Sequence, residues 1–341
     1  MNSGVSDVSV LVTGGLGYLG SWMLIALLRQ GYRVRASLRD LAQEKQLRAT
    51  LAPFTTSLHR LSFHRASLLR DEGWDSAMQQ CQFVVHTAAP VRRGDYRPQD
   101  IIAPTRQATL RILRAARRAG VRRLVLTSSA QAALPPPQGA AISDETQWTG
   151  LDDTGTSDTV RAKTLAEQDA WTFVRTHGGP ELVTVLPAFI QGPVVSADYS
   201  ASIGLAARIL RGKMPLLPRL GFCLVDVRDL VDLHLRAMTH RDAANQRFIA
   251  AGEFLWMQDI AAAYRDAFPE RAATISLRSA PDALVRLLAL FSGELRQAVT
   301  SLGQRREFSS AKAERMLDWR PRPARESLIE GALSLLHKGL A

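Results

Sequence analysis

Three glycines carry the first chemical signal. Residues 13–20 read Thr13-Gly14-Gly15-Leu16-Gly17-Tyr18-Leu19-Gly20, a G-x-x-G-x-x-G spacing. The segment follows an apolar, β-branched run, Val8–Thr13, and opens a mostly apolar stretch, Ser21–Gln30, that Gly31 stops. A chain that must turn sharply, admit a pyrophosphate against its backbone and aim helix N-terminal amides at phosphate oxygens needs residues without Cβ atoms here. The strand–turn–helix setting makes the spacing a dinucleotide cradle rather than a turn with incidental glycines.

The end of the next strand chooses the dinucleotide. It runs Val34-Arg35-Ala36-Ser37-Leu38-Arg39-Asp40. A carboxylate at this point would hold a ribose 2′-hydroxyl, whereas an arginine suits a 2′-phosphate. Leu38 stands at the acidic position and Arg39 follows it, which favours NADP over NAD. Asp40 is the dissenting residue, with N-capping of the following helix as its other role. Asp226 and Asp229 suggest a carboxylate pair, but their place before a helix favours capping. The seven histidines and two cysteines show no metal-ligand spacing.

These residues need a scaffold. Strands are expected at Val8–Thr13, Tyr32–Leu38, Leu61–Ala66, Phe83–His86, Val121–Thr127 and Leu182–Leu186. Helices are expected at Ser21–Gln30, Leu41–Leu51, about Gln99–Ala119 and Val160–Arg175. Pro104 either kinks the third of these helices or marks its true start. Such alternation predicts an α/β fold: a Rossmann-type, doubly wound parallel sheet with helices on both faces. Residues 131–158, rich in Pro, Gly, Ser and Asp, read as a loop. Beyond about residue 190 the alternation becomes irregular. Ile203–Leu210 reads as a helix, Phe222–Val227 and Arg247–Ala250 as strands, and three helices near 257–268, 281–290 and 323–338 close the chain. The expected division is a nucleotide-binding domain at 1–190 plus about 222–250, and a smaller, mostly helical substrate domain at 191–221 and 251–341.

Composition bounds the function. The 341 residues are 46% hydrophobic and 22% charged, which is ordinary globular usage and argues against whole-chain disorder or coiled coil. Cys81 and Cys223 cannot make a disulfide framework, so a reducing compartment fits. No run approaches the ~20 apolar residues of a membrane span. The N-terminus lacks a basic signal-peptide start, so the expected setting is soluble and cytoplasmic. The net charge is +11. Its densest cluster, Arg106, Arg111, Arg114, Arg117 and Arg118, falls opposite Ile112, Leu113 and Ala116 at helical spacing. That is a solvated basic face, and without interleaved aromatics it does not indicate nucleic acid.

The chain resembles the extended short-chain dehydrogenases/reductases, within the NAD-dependent epimerase/dehydratase superfamily. The glycine segment with Tyr18 and Leu19 inside it carries the first part of the likeness. Further segments narrow it to the dihydroflavonol reductase/cinnamoyl-CoA reductase-like group and its bacterial aldehyde-reductase relatives. They are Asp71-Glu72-Gly73-Trp74-Asp75, His86-Thr87-Ala88-Ala89-Pro90, Leu126-Thr127-Ser128-Ser129-Ala130, Lys163-Thr164-Leu165-Ala166-Glu167 with Trp171, Val225-Asp226-Val227-Arg228-Asp229, Arg247-Phe248-Ile249-Ala250 and Leu317-Asp318-Trp319-Arg320-Pro321-Arg322. The likeness spans nearly the whole chain, in order.

The resemblance implies contacts residue by residue. Gly14, Gly17, Tyr18, Leu19 and Gly20 would meet the pyrophosphate, and Arg39 the 2′-phosphate. Ser67, where the family usually has Asp, and Leu68 would lie beside the adenine. Thr87, Ala88 and Ala89 would line the nicotinamide ribose, and Pro187 would sit near the carboxamide. His86 would pack beneath the cofactor. Catalysis would fall to a serine, a tyrosine and a lysine. Ser129 matches the serine and Lys163 the lysine. The tyrosine position is Thr159, and the serine frequent before the lysine is Ala162, so the segment reads Thr159-Val160-Arg161-Ala162-Lys163.

That replacement matters because a phenol ionises near pH 10 and can be tuned toward neutrality, whereas an aliphatic alcohol cannot. Tyr96 and Tyr199 lie in segments that the resemblance places around the substrate pocket, and either could act from another direction. Three readings follow. The first is an NADP-dependent oxidoreductase acting on an aldehyde or ketone, or on the corresponding alcohol, by an atypical site. The second is an NADP-binding protein with little turnover. The third is an epimerase, dehydratase or isomerase on the same scaffold. Segments around 91–97, 131–158 and 191–221 would shape a largely apolar pocket.

Overall fold

A computed structural model describes residues 7–90, 101–135, 142–151, 156–292 and 299–341. The first half alternates strand and helix: β1 (Ser9–Thr13), α1 (Tyr18–Arg29), β2 (Arg33–Leu38), α2 (Glu44–Leu51), β3 (Leu61–Arg65), α3 (Trp74–Met78), β4 (Phe83–His86), α4 (Ile102–Arg118) and β5 (Arg123–Thr127). Next come the short β6 (Ile142–Ser143), α5 (Asp158–His177), β7 (Glu181–Pro187), β8 (Phe189–Gln191), α6 (Ala201–Leu210), β9 (Gly221–Asp226) and α7 (Val227–Thr239). The last stretch holds β10 (Arg247–Ala250), β11 (Phe254–Trp256), α8 (Met257–Ala267), α9 (Asp282–Leu288), β12 (Glu307–Phe308), α10 (Ala311–Leu317) and α11 (Ala324–His337).

Seven strands form one sheet in the order β10-β7-β5-β4-β1-β2-β3. Every pairing in it is parallel. Such a sheet must be covered on both faces, which explains why β4 and β5 are buried along their whole length. Met23, Leu24, Leu27 and Leu28 of α1 and Leu230, Leu233 and Met238 of α7 join the core of one face. Ile112, Leu113 and Ala116 of α4 and Ala170 and Phe173 of α5 join that of the other. The doubly wound α/β expectation holds. Among the described residues no helix is long and apolar enough to cross a membrane.

Several local expectations need correction. The helix expected from Gln99 begins at Ile102, with Pro104 in its first turn, where a missing N–H costs no hydrogen bond. The strand expected at Phe222–Val227 is β9, in a three-stranded sheet of its own, β11-β9-β8, antiparallel to β11 and parallel to β8. The expected loop 131–158 contains part of a helical turn, Ala130–Ala133, and β6, which pairs with β12. Pro136 and Pro137 lie outside the described residues. The basic face of α4 is partly neutralised: Arg106 pairs with Asp169, Arg111 with Asp71 and Arg118 with Asp75.

The carboxylate pair Asp226 and Asp229 resolves into structure. Asp226 caps α7 by accepting from the Arg228 amide at 2.8 Å. Asp229 takes the Arg322 guanidinium, with its Oδ1 2.8 Å from Nη2, and its carbonyl accepts the Trp319 indole N–H at 2.8 Å. The Leu317–Arg322 segment is thereby clamped onto α7.

Candidate active site at the strand ends

The chain leaves β1 at Thr13 and turns through Gly14, whose φ is +77°. A Cβ at Gly14 would stand 3.0 Å from the Ala88 backbone, so the turn lies tight against the chain leaving β4. Gly17 N–H closes the turn onto the Gly14 carbonyl at 2.9 Å. Gly17 is also the N-cap of α1, with no side-chain cap and no acidic residue in the first turn. The first amides of the helix thus face the turn without a carboxylate competitor, an arrangement that suits an anion.

The glycines differ in what they are for. At Gly20 a Cβ would fall 2.0 Å from the Gly14 oxygen, so the turn itself requires glycine there. At Gly17 a Cβ would meet only that same oxygen, at 3.4 Å, an ordinary contact. The protein's own packing leaves Gly17 free to carry a side chain, and the space a Cβ would take is the space a pyrophosphate needs. The turn therefore fits a dinucleotide. Tyr18 and Leu19 are buried, and the Tyr18 hydroxyl donates to the Gln191 carbonyl at 3.1 Å. Their backbone amides, rather than their side chains, face the cradle.

Arg39 is exposed immediately beyond β2. Asp40 accepts from the Ala42 amide at 3.0 Å, capping the helical turn before α2. Ser67 and Leu68 are half-buried just beyond β3, and their carbonyls accept from Trp74 and Arg111 respectively. Thr87 and Ala88 bind back to β1: Thr87 Oγ1 donates to the Thr13 carbonyl at 2.6 Å and the Ala88 amide to Thr13 Oγ1 at 3.2 Å. His86 Nδ1 shares a 2.7 Å hydrogen bond with the same Thr13 hydroxyl. Burial, then the nearby Lys163 charge, pushes the imidazole down to about 3, so it is neutral. Pro187 ends β7 and is buried.

The catalytic candidates come from β5 and α5. Lys163 Nζ donates to the Thr127 carbonyl at 3.1 Å. Burial lowers its pKa to about 8, against the raising effect of Glu167 one turn on. One cavity is walled by His86, Ala88, Ala89, Ser128, Lys163 and Glu167, among others. Ser129 and Thr159 are not in that wall. Ser129 Oγ accepts from the Gln131 amide at 3.3 Å and so caps the turn Ala130–Ala133, while its own proton stays available. Thr159 is exposed in the first turn of α5, one turn before Lys163. Tyr96 lies outside the described residues. Tyr199 is partly buried against the core.

Sequence reasoning missed the charge network behind this wall. Glu167 has zero exposure. Its Oε2 accepts from Ser128 Oγ at 2.6 Å, and its Oε1 from Thr184 Oγ1 at 2.7 Å and from Arg247 Nε at 2.8 Å. Arg247 in turn stacks over the Trp148 ring at 3.7 Å. The available signal was periodicity: Val160, Thr164 and Glu167 share the buried face of α5, and a carboxylate in such a stripe demands a buried cation.

A parallel sheet with a glycine turn at its strand ends and a helix-borne lysine beside them defines a nucleotide-binding α/β enzyme class, and the comparisons give the family. Residues 10–252 match the NAD dependent epimerase/dehydratase family, and the chain belongs to it. The chain is 33% identical over 273 residues to dihydroflavonol 4-reductase of Zea mays, covering 77% of this chain and 75% of that one. It is 33% identical over 244 residues to cinnamoyl-CoA reductase CAD2 of Medicago truncatula, covering 70% and 74% respectively. In fold it matches the yeast methylglyoxal/isovaleraldehyde reductase Gre2 complexed with NADPH, with a TM-score of 0.79 at 22% identity over 98% of this chain and 100% of that one.

Proposed function

We propose that the protein is an NADP-dependent oxidoreductase that reduces an aldehyde or ketone carbonyl, or oxidises the corresponding alcohol, through a site without the tyrosine that its relatives' pattern leads one to expect. The observation that carries this reading is the pairing of a glycine cradle, open at Gly17, with a partly desolvated lysine at the same strand ends. Its 33% identical relatives bear reductase names.

In this reading, Gly14, Gly17 and Gly20 let the backbone amides of Tyr18 and Leu19 hold the pyrophosphate. Arg39 meets the 2′-phosphate as an exposed cation. Ser67 and Leu68 flank the adenine. Thr87, Ala88, Ala89 and Lys163 hold the nicotinamide ribose, and Pro187 lies by the carboxamide. The bound dihydronicotinamide supplies the hydride. Ser129, whose oxygen is already engaged by the Gln131 amide, keeps its O–H to donate to the substrate carbonyl oxygen. Thr159 is too weak an acid to replace a phenol, so the proton comes by another route. Residues 1–190 with about 222–250 hold the dinucleotide, and 191–221 with 251–341 shape a largely apolar pocket for a small carbonyl compound.

The test is NADPH consumption across a panel of aldehydes and ketones. Turnover of at least one carbonyl supports the reading. Tight NADPH binding with no turnover on any of them replaces it with the alternative of a catalytically silent nucleotide-binding protein, and NADPH binding with redox-neutral conversion of a sugar nucleotide replaces it with an epimerase or dehydratase.

A further inference from the structure

The reductase reading leaves the proton unassigned, and the side chains gathered around Lys163 at the strand ends narrow the choice. Among the described residues, three titratable side chains stand there: His86, Lys163 and Glu167. His86 is fully enclosed and tied to Thr13, and as a neutral imidazole its one N–H is far too weak an acid. Glu167 has both oxygens engaged, accepting from Ser128, Thr184 and Arg247. Lys163 is different. An ammonium has three donors, and Thr127 O takes one of them. Tyr18 is spoken for by Gln191, and Tyr264 is buried in the core. Thr159, exposed one turn before Lys163, opens that end of the helix toward solvent.

We propose that Lys163 itself is the general acid, donating an Nζ proton to the substrate carbonyl oxygen, in place of the phenol that Thr159 has replaced. The step rests on the reductase reading and balances as follows. Hydride from the dihydronicotinamide forms the new C–H bond at the carbonyl carbon, and the C=O π pair moves onto oxygen. That oxygen takes the proton from Nζ, and the nicotinamide is left oxidised. Neutral Lys163 regains its proton from solvent at the Thr159 end of the helix. In the alcohol-oxidising direction the neutral amine is the base.

The surroundings suit this role. The groups that face Lys163 are the neutral His86 from β4, Ser128 and the Thr127 carbonyl from β5, and Glu167 on its own helix, with Arg247 of β10 behind Glu167. Desolvation lowers the ammonium to about 8 while the Glu167 charge keeps it from falling further. An acid poised near working pH is the efficient one.

The test uses the full chain, NADPH, and benzaldehyde and isovaleraldehyde as probes, with kcat measured at saturating NADPH and NADPH affinity measured separately. Lys163→Arg keeps a cation for the ribose but holds its proton too firmly to donate. It should bind NADPH within a few-fold of the parent while kcat falls by about 10²–10⁴. The parent kcat for reduction should decline above a pH of about 8. Lys163→Cys alkylated with 2-bromoethylamine restores an ammonium of lower pKa. It should recover reduction, with the alkaline decline moved to lower pH, a shift that a merely structural lysine would not produce. Tyr96→Phe and Tyr199→Phe should keep the parent profile. A Lys163→Arg kcat within threefold of the parent overturns the proposal, and so does loss of the alkaline decline in either tyrosine variant. Should Lys163→Arg fail to fold, an alkylated Lys163→Cys enzyme whose decline stays at the parent pH overturns it as well. A parent that binds NADPH and reduces no carbonyl defeats the reductase reading and this inference with it, an outcome distinct from the others.

Discussion

Glu167 and Arg247 meet at 2.8 Å in the interior, with side-chain exposures of 0% and 9%. The pair joins α5 to β10 and, through Thr184 and Ser128, to β7 and the end of β5. The peptide that holds Lys163 at Thr127 and the turn that carries Ser129 both begin at that strand end. A charge network that itself contributes Glu167 to the cavity wall thus ties together the four elements around it.

Removing one member of such a pair leaves the other charged and buried. Glu167→Gln should therefore destabilise the fold by about 3–5 kcal/mol. The half-exposed Arg106–Asp169 pair is a control. Asp169→Asn should cost about 1 kcal/mol or less. Urea unfolding of the two variants and the parent checks both figures, and equal losses would mean that burial is not what gives the Glu167 pair its weight.

Acid should find a different weak point. The folded state holds His86 at about 3, against an ordinary value of 6.5. Between those pH values the unfolded chain binds a proton that the folded chain refuses, so stability falls as pH falls through that window. His234, bonded to Thr127 and held at about 4 by burial, adds to the same trend. Thermal melts of the parent should show a steady loss of Tm from pH 7 to pH 4. His86→Asn should show a shallower slope, whatever its starting Tm. An unchanged slope would show that His86 titrates normally.

Cofactor preference tests Arg39. NADPH should bind more tightly than NADH, and Arg39→Ala should remove most of the difference, a loss of about 1.5–3 kcal/mol for a charge-assisted contact. Asp40 is committed to the Ala42 amide and should not rescue NADH binding. Titration calorimetry that finds equal affinities in the parent would reverse the assignment to NADP.

Two glycines should separate binding from folding. Gly17→Val puts a side chain into the cradle, its Cβ at an ordinary 3.4 Å from the Gly14 carbonyl, so dinucleotide binding should collapse while Tm stays within a few degrees. Gly20→Ala drives a methyl to 2.0 Å from the Gly14 carbonyl and should lower Tm whether or not a cofactor is present. Wild-type NADPH affinity in Gly17→Val would reduce the glycine segment to a turn.

Local pattern made much of this legible. β1, β4 and β7 follow short apolar runs and α5 a clear helical stretch, so they could be read to within a residue or two, whereas α3 and α7 were not read. The glycine cradle was legible because its requirement is steric and local. What escaped reading was non-local. β8 and β11 have three residues each, and only β9 between them makes them strands. Besides Trp171 one turn on, the partners of Glu167 lie 17, 39 and 80 residues away, pairings that no local spacing reveals. The same holds for Arg322, which reaches back 93 residues to Asp229.

The vacant phenol position offers the most direct gain-of-function test. Residues 159 and 163 stand one turn apart at the start of α5, and residue 159 is exposed. A tyrosine there would bring a phenol to the same side of the helix as the Lys163 ammonium, close enough for that charge to lower its pKa. Thr159→Tyr, with Ala162→Ser if a neighbouring hydroxyl is needed, should raise carbonyl reduction above the parent. It should also alter the alkaline limb of the parent's pH profile, because a phenol then titrates beside Lys163. Ala162 is buried, so the serine must find a partner for its hydroxyl, and the single variant is the cleaner measurement. Adding Lys163→Ala should abolish the gain, because the phenol loses its tuning cation and the ribose its anchor. The decisive measurement is kcat/KM for a carbonyl the parent reduces, in a variant that folds and binds NADPH. A Thr159→Tyr enzyme no faster than the parent on every such carbonyl would mean that the pocket is built around the threonine and that its proton route does not pass through position 159.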